Sequence, residues 1–207
     1  TDDENTAKFL EAMQRLDVPV VVLKYPDCYE DVKVDTIYEE VKLLGEVFSQ
    51  QEKAEAIVEL MDKQVQIIRE RTKDVADEDK PYVLYFGAAT SAKDKGGAGY
   101  AFGTSTIESI FLEEIVNAKN AYDGTSTEII SAERLLSLDP DIIILSTYSG
   151  YHPPREMYEE QRFEKIQELK ALQNGRVYSL AATPCKDERL EFPINLMIEA
   201  KAIYPDR

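Results

Sequence analysis

The sequence predicts an α/β fold with a mainly parallel sheet flanked by helices, on three observations. Leu135–Thr147 (LLSLDPDIIILST) fits a helix end, a tight turn and an apolar run into one short segment. Pro140 cannot continue a helix and pushes Asp139 out of the α region, while Ile142, Ile143, Ile144 and Leu145 lack the alternation of a half-exposed strand and read as covered on both faces. Strand-like and helix-like stretches then alternate along the chain, the pattern of a parallel sheet. Finally, the polar run Ser146–Gly150 follows the best strand, and ligands of open α/β sheets bind at strand C-terminal ends.

The elements follow in order. Residues 7–16 (AKFLEAMQRL) read as a short amphipathic helix, then Val18–Leu23 as a buried-type strand with Tyr25-Pro26-Asp27 in the loop after it. Val34, Ile37, Val41, Leu44 and Phe48 make one apolar stripe, continued by Ala54, Ile57, Met61, Val65 and Ile68. Ser49-Gln50-Gln51-Glu52 has the form of a capping box, so a second helix is expected to restart there, giving a bent connecting helix to about Thr72. The stripe is expected to bury against a neighbouring part of the fold. Residues 74–80 read as a charged linker, 81–87 as a strand and 88–103 as a loop rich in glycine and small residues. A helix is expected over 105–117, a short extended piece and a short helix over 127–137, and strands over 141–146 and 176–180. Helices over about 156–171 and 189–203 complete the reading.

Composition narrows the function. The 207 residues suit one large domain or two small ones. With 40 acidic against 24 basic residues and a net charge of −16, the chain lacks the basic stripe that nucleic acid requires. Cys28 and Cys185 set no disulfide framework or four-cysteine zinc site, and His152, the one histidine, cannot make a multi-histidine metal site. No apolar run approaches the ~18 residues of a membrane span. The chain begins at Thr1 and reads as a processed or excised piece. There is no G-x-S-x-G elbow, no HExxH and no carboxylate–histidine constellation, so an enzyme is not expected.

Several segments in this order resemble a known family: DTIYEEVKLLG, the S-x-x-E helix, PYVLYFG, the glycine-rich loop, SAERLLSLDPDIIILST and LQNGRVY. The chain resembles, from about Phe9 to Tyr204, the substrate-binding proteins of ABC importers for iron–siderophore, haem and cobalamin. The resemblance implies two α/β lobes joined by a rigid helix, with ligand held in the cleft between them. It implies residues 1–32 as a remnant of a largely missing N-terminal lobe, 33–75 as the interlobe helix and 76–207 as the C-terminal lobe. It further implies an extracytoplasmic location, in the periplasm or anchored outside the cell membrane, and an ABC permease as partner. No resident cofactor is implied. The resemblance implies an iron chelate, haem or corrinoid as ligand, and with most of one lobe's share of the cleft absent this chain is expected to bind it very weakly or not at all and to self-associate. A binding protein for zinc or manganese and an enzyme on a similar scaffold are the alternatives.

The candidate site residues lie in the loops after the strands. Tyr148 and Tyr151 either stack on a flat macrocycle or ligate ferric iron, or are ordinary surface tyrosines. Arg189 either clamps an anionic chelate or pairs with Glu188 or Glu191. Gly96-Gly97-Ala98-Gly99-Tyr100 either brings backbone close to a ligand beside Tyr100 or is a flexible surface turn. Lys24 and Tyr25 face the cleft from the other lobe in the family arrangement; Cys28 and Cys185 could approach each other across it, and whether they pair is open. Glu133 is implied by the resemblance as a permease-docking carboxylate, with Glu128 as the alternative; otherwise Glu133 complements a helix dipole.

Overall fold

The computed structural model describes residues 4–23, 33–147, 150–180 and 192–207. Its centre is a six-stranded mixed sheet: β1 Tyr82–Gly87, β2 Gly99–Ala101, β3 Lys119–Asn120, β4 Glu128–Ile130, β5 Ile142–Leu145 and β6 Val177–Ser179. The order is β4-β2-β1-β5-β6, with β3 pairing the start of β1. Strands β1, β3, β5 and β6 run parallel, and β2 and β4 form an antiparallel flank.

The unbroken apolar run of β5 is explained by burial on both sides. Ile142 and Ile144 join Val83 and Tyr85 of β1 in one core, while Ile143 and Leu145 join Leu84 and Phe86 in the other. Successive side chains of a strand point to opposite faces, so a strand between two helical layers needs apolar residues at every position. The first core is closed by α2 Val34–Val47, α3 Gln51–Thr72, α5 Ile107–Phe111 and α9 Phe192–Ile203. The second is closed by α6 Ala132–Leu138, α7 Glu156–Glu159, a 3-10 turn at Gln161–Ile166 and α8 Lys170–Gln173. The chain is thus a mixed α/β fold with a central sheet flanked by helices.

Four expectations are corrected. Val18–Leu23 forms no strand: Val18, Val20, Val21 and Val22 are 39–62% exposed, and α1 Glu4–Arg15 before them buries no residue. The apolar run is there, but every described strand lies beyond residue 81, and this run pairs with none. The segment 34–72 is not a bent rod but a hairpin. Tyr38 on α2 donates to Asp62 on α3 at 3.5 Å, and a Cβ added to Gly45 would stand 2.4 Å from that of Ala54, which brings the two helices back to back. The Ser49 capping box does not form. Ser49 instead takes a left-handed φ of 53°, and the amides of Ser49 and Gln50 bond Glu46 and Gly45 carbonyls, a Schellman closure of α2. Of the stripe, Ile37, Val41 and Met61 are buried, and Leu44 and Ile57 half-buried.

Third, the helix expected over 156–171 is broken into α7, the 3-10 turn and α8. Met157, Phe163, Ile166 and Leu169 are all essentially inaccessible, and one straight helix cannot aim that set at the sheet; packing overrides propensity. Fourth, the 88–103 segment is not all loop. It contains α4 Thr90–Asp94 and β2, where a Cβ on Gly99 would lie 2.1 Å from the Phe86 ring. Glycine there is what lets β2 pair over Phe86. The expected 105–117 helix is α5 followed by a π turn at Leu112–Val116. Asp139 closes α6 with a left-handed φ of 40°, and its carboxylate accepts the Lys170 amide at 3.0 Å.

The hairpin docks firmly. Tyr38, Phe192 and Phe111 form an aromatic row with centroids 6.3 and 5.6 Å apart. At the far end of α3, Asn117 Nδ2 donates to the Thr72 carbonyl at 2.7 Å, and the Tyr204 hydroxyl to the Asn117 carbonyl at 2.7 Å. Among the described residues no helix is long and apolar enough to cross a membrane.

Candidate functional site at the sheet edge

Register places three parallel strand ends side by side: Phe86 of β1 faces Leu145 of β5, which faces Ser179 of β6. Antiparallel β2 puts Tyr100 opposite Gly87 at the same edge. The residues that follow these ends are Ala88, Ser146 and Leu180, so the loops after β1, β5 and β6 all leave from one side of the sheet.

Of the expected ligand residues, Tyr100 and Tyr151 are described, and both belong to this edge. Tyr100 is half-buried, packs against the core that holds Tyr85 and Phe102, and shares a hydrogen bond of 3.2 Å with Ser91. It belongs to a strand, so its presentation is fixed by pairing. Tyr151 is 54% exposed in the loop after β5. Tyr25, Tyr148 and Arg189 lie outside the described residues, as do Lys24, Cys28 and Cys185.

Beside Tyr151 stands a polar network that sequence reading missed. Arg162, its side chain only 9% exposed, donates from Nη1 to the Ala88 carbonyl at 2.6 Å. Its Nε pairs with Glu160, and its Nη2 lies 3.6 Å from Glu156 Oε2. The same Glu156 oxygen is 2.9 Å from His152 Nδ1, and the His152 carbonyl accepts the Ser179 hydroxyl. Arg162 also lies over the Phe163 ring, 4.4 Å from its centroid. One signal was available: His152 and Glu156 are four residues apart around Pro153-Pro154. Arg162 carried none, because a cation in an expected helix reads as solvent-facing.

Glu133 is exposed in the first turn of α6, where Ser131 caps the helix by accepting the Arg134 amide at 3.2 Å. Its own amide and the Ser131 hydroxyl bond its carboxylate and hold it below the usual carboxylate range. Glu128 is engaged otherwise, accepting the Tyr122 hydroxyl at 2.7 Å. Among the described residues no group of three or more His, Cys, Asp or Glu side chains is arranged to hold a metal ion.

The chain is similar in structure to a periplasmic solute-binding protein of Veillonella parvula, with a TM-score of 0.76 and 21% identity over 98% of this chain and 58% of that one. The chain thus spans somewhat over half the length of that relative. A molybdate periplasmic binding protein of Haemophilus influenzae gives a TM-score of 0.70 at 15% identity, covering 96% of this chain and 63% of that one. A periplasmic haem-binding protein of Roseiflexus gives 0.69 at 13% identity, covering 96% and 71%. These likenesses establish the fold. No curated protein matches in sequence. The model of one family, described as periplasmic binding protein, matches residues 7–184, most of the chain. With the sheet and its edge loops arranged as above, the chain belongs to the periplasmic binding protein family.

Proposed function

We propose that the chain is the extracytoplasmic substrate-binding component of an ABC importer, taking an iron–siderophore, haem or corrinoid and delivering it to a membrane permease. The observation that carries this reading is the family match along residues 7–184, in a chain whose sheet turns three parallel strand ends to one edge. Similar structures described as binding haem and molybdate support a small metal-bearing ligand. In this reading residues 1–32 belong to a second lobe, 33–75 connect the lobes and 76–207 form the lobe that offers the edge. The ligand is contacted by Tyr25, Tyr100, Tyr148, Tyr151 and Arg189, whose rings and guanidinium suit flat or anionic chelates. Glu133, exposed at the start of α6, pairs with cationic side chains of the permease.

Equilibrium dialysis against haemin, a ferric hydroxamate, a ferric catecholate and cyanocobalamin, read by absorbance, tests the ligand class. Retention of one coloured compound above a control protein is expected. Retention of none, with uptake of molybdate or zinc instead, overturns the chelate reading. For docking, Glu133→Ala is expected to leave ligand affinity unchanged and to lower ligand-stimulated ATPase activity of the reconstituted importer, since rim charges act chiefly on encounter. Unchanged stimulation returns Glu133 to its role at the helix start.

A further inference from the structure

We infer that Arg162 is a positioning residue: acting through Glu156 and His152, it fixes the loop that carries Tyr151 at the sheet edge. The inference deepens the proposed function, because it takes that edge as the ligand site. Its warrant is geometric. The guanidinium joins the Ala88 carbonyl, just past β1, to Glu156 of α7. Glu156 in turn reaches His152, in the loop after β5, whose carbonyl is held by Ser179 at the end of β6. One chain of contacts thus links the ends of β1 and β6 through the loop after β5, and Tyr151 is the residue next to His152 in that chain.

The sheet beneath does not depend on these polar contacts for its own closure. Leu84, Phe86, Ile143 and Leu145 are essentially inaccessible in an apolar layer. The network lies above that layer, where loops rather than strands need fixing. Arginine suits the task because its planar fork serves the Ala88 carbonyl and two carboxylates in three directions at once, which a lysine ammonium on a flexible stem does not reproduce. Truncating it leaves Glu156 and Glu160 without their shared cation, and the loop loses its tie to β1.

The chain contains no tryptophan, so Tyr151→Trp installs a single fluorescent reporter in this loop. Time-resolved anisotropy of that reporter is measured in the parent and with Arg162→Ala, Arg162→Lys or Glu156→Gln added. Circular dichroism and amide exchange at Ile143 confirm an intact sheet. The fast, local component of the decay is expected to roughly double in Arg162→Ala and Glu156→Gln, with Arg162→Lys restoring little of the order despite its charge. If Arg162→Ala fails to fold, Glu156→Gln, nearly isosteric, decides the matter. An unchanged local component in a folded Glu156→Gln or Arg162→Ala chain overturns the inference, as does full rescue by Arg162→Lys. Titration with gallium protoporphyrin and cyanocobalamin separates this from the functional reading. A loosened loop in a chain that binds neither probe counts against the ligand site alone, and an unaltered loop in a chain that binds one counts against the positioning alone.

Discussion

Tyr122 couples the antiparallel flank of the sheet to pH. Burial, then its hydrogen bond to Glu128 and that carboxylate's charge, push its pKa up from 10.0 to about 12. The folded chain therefore holds this proton more tightly than the unfolded one. The associated stability is fully present below pH 10 and is lost as pH rises through the folded value. Thermal unfolding followed from pH 9 to pH 12 is expected to show falling stability, with a shallower fall in Tyr122→Phe. Tyr38, Tyr158 and Tyr204 are raised as well, so the slope is reduced rather than abolished. An identical slope in Tyr122→Phe would contradict the assignment. At this scale the sequence was partly legible. Tyr151 marked the edge because the position of a loop follows from that of the strand before it, here β5. Arg162 stayed hidden, because its burial depends on a break in the 156–171 helix that only tertiary packing imposes.

The α2–α3 hairpin shows what element-level patterns carry and what they omit. The apolar stripe identified both helical stretches, because periodicity of 3.6 is local information, whereas their division near Ser49 was read from a capping box that does not form. The reversal of direction was not legible, since it hinges on Ser49 adopting a left-handed φ against its preference and on Gly45 meeting Ala54. Two substitutions test this with opposite signs. Glycine to alanine inside a helix ordinarily stabilises by about 0.5–1 kcal/mol. At Gly45 the new methyl would stand 2.4 Å from Ala54 Cβ, and overpacking of about 1–3 kcal/mol is expected to win, so Gly45→Ala lowers the melting temperature. Ser49→Gly removes the left-handed penalty and is expected to raise stability by about 1 kcal/mol. A stabilised Gly45→Ala would mean that the helices do not approach as described. The contrast between β5 and Val18–Leu23 carries the same lesson. Both read as buried-type strands, and only the run with neighbours on both sides became one. Strand β2 escaped notice for the converse reason: its glycine, which reads as a loop, is what the Phe86 ring requires.

Across the whole molecule, all the described strands lie between residues 82 and 179, whereas residues 4–23 carry apolar groups without a core. Phe9 is 53% exposed, Leu16 67% and Val22 62%. A surface of this kind favours self-association, because isolated monomers rarely expose contiguous apolar patches. Light scattering is expected to show mass rising with concentration, and replacement of Phe9, Leu16 and Val22 by serine to suppress it. A strictly monomeric parent at millimolar concentration would contradict this. The α/β class was legible from the apolar run in Leu135–Thr147, because a doubly covered strand needs apolar residues at every position, together with the alternation of strand-like and helix-like stretches. Ligand identity was not, because tyrosine and arginine serve siderophores, haem and corrinoids alike.

The claim that matters most is that the edge formed by the ends of β1, β5 and β6 receives a metal-bearing ligand. Amide chemical-shift mapping tests it directly and tolerates weak binding. The probes are diamagnetic: gallium protoporphyrin, a gallium hydroxamate siderophore complex and cyanocobalamin. For one of them, shifts are expected to concentrate at Gly87–Ala89, Tyr100, Gly150–His152 and Leu180, and to shrink in Tyr151→Ala, whose lost contact weakens binding by about 1–3 kcal/mol. Shifts confined to the α2–α3 hairpin, or no shifts with any of the three, would contradict the account.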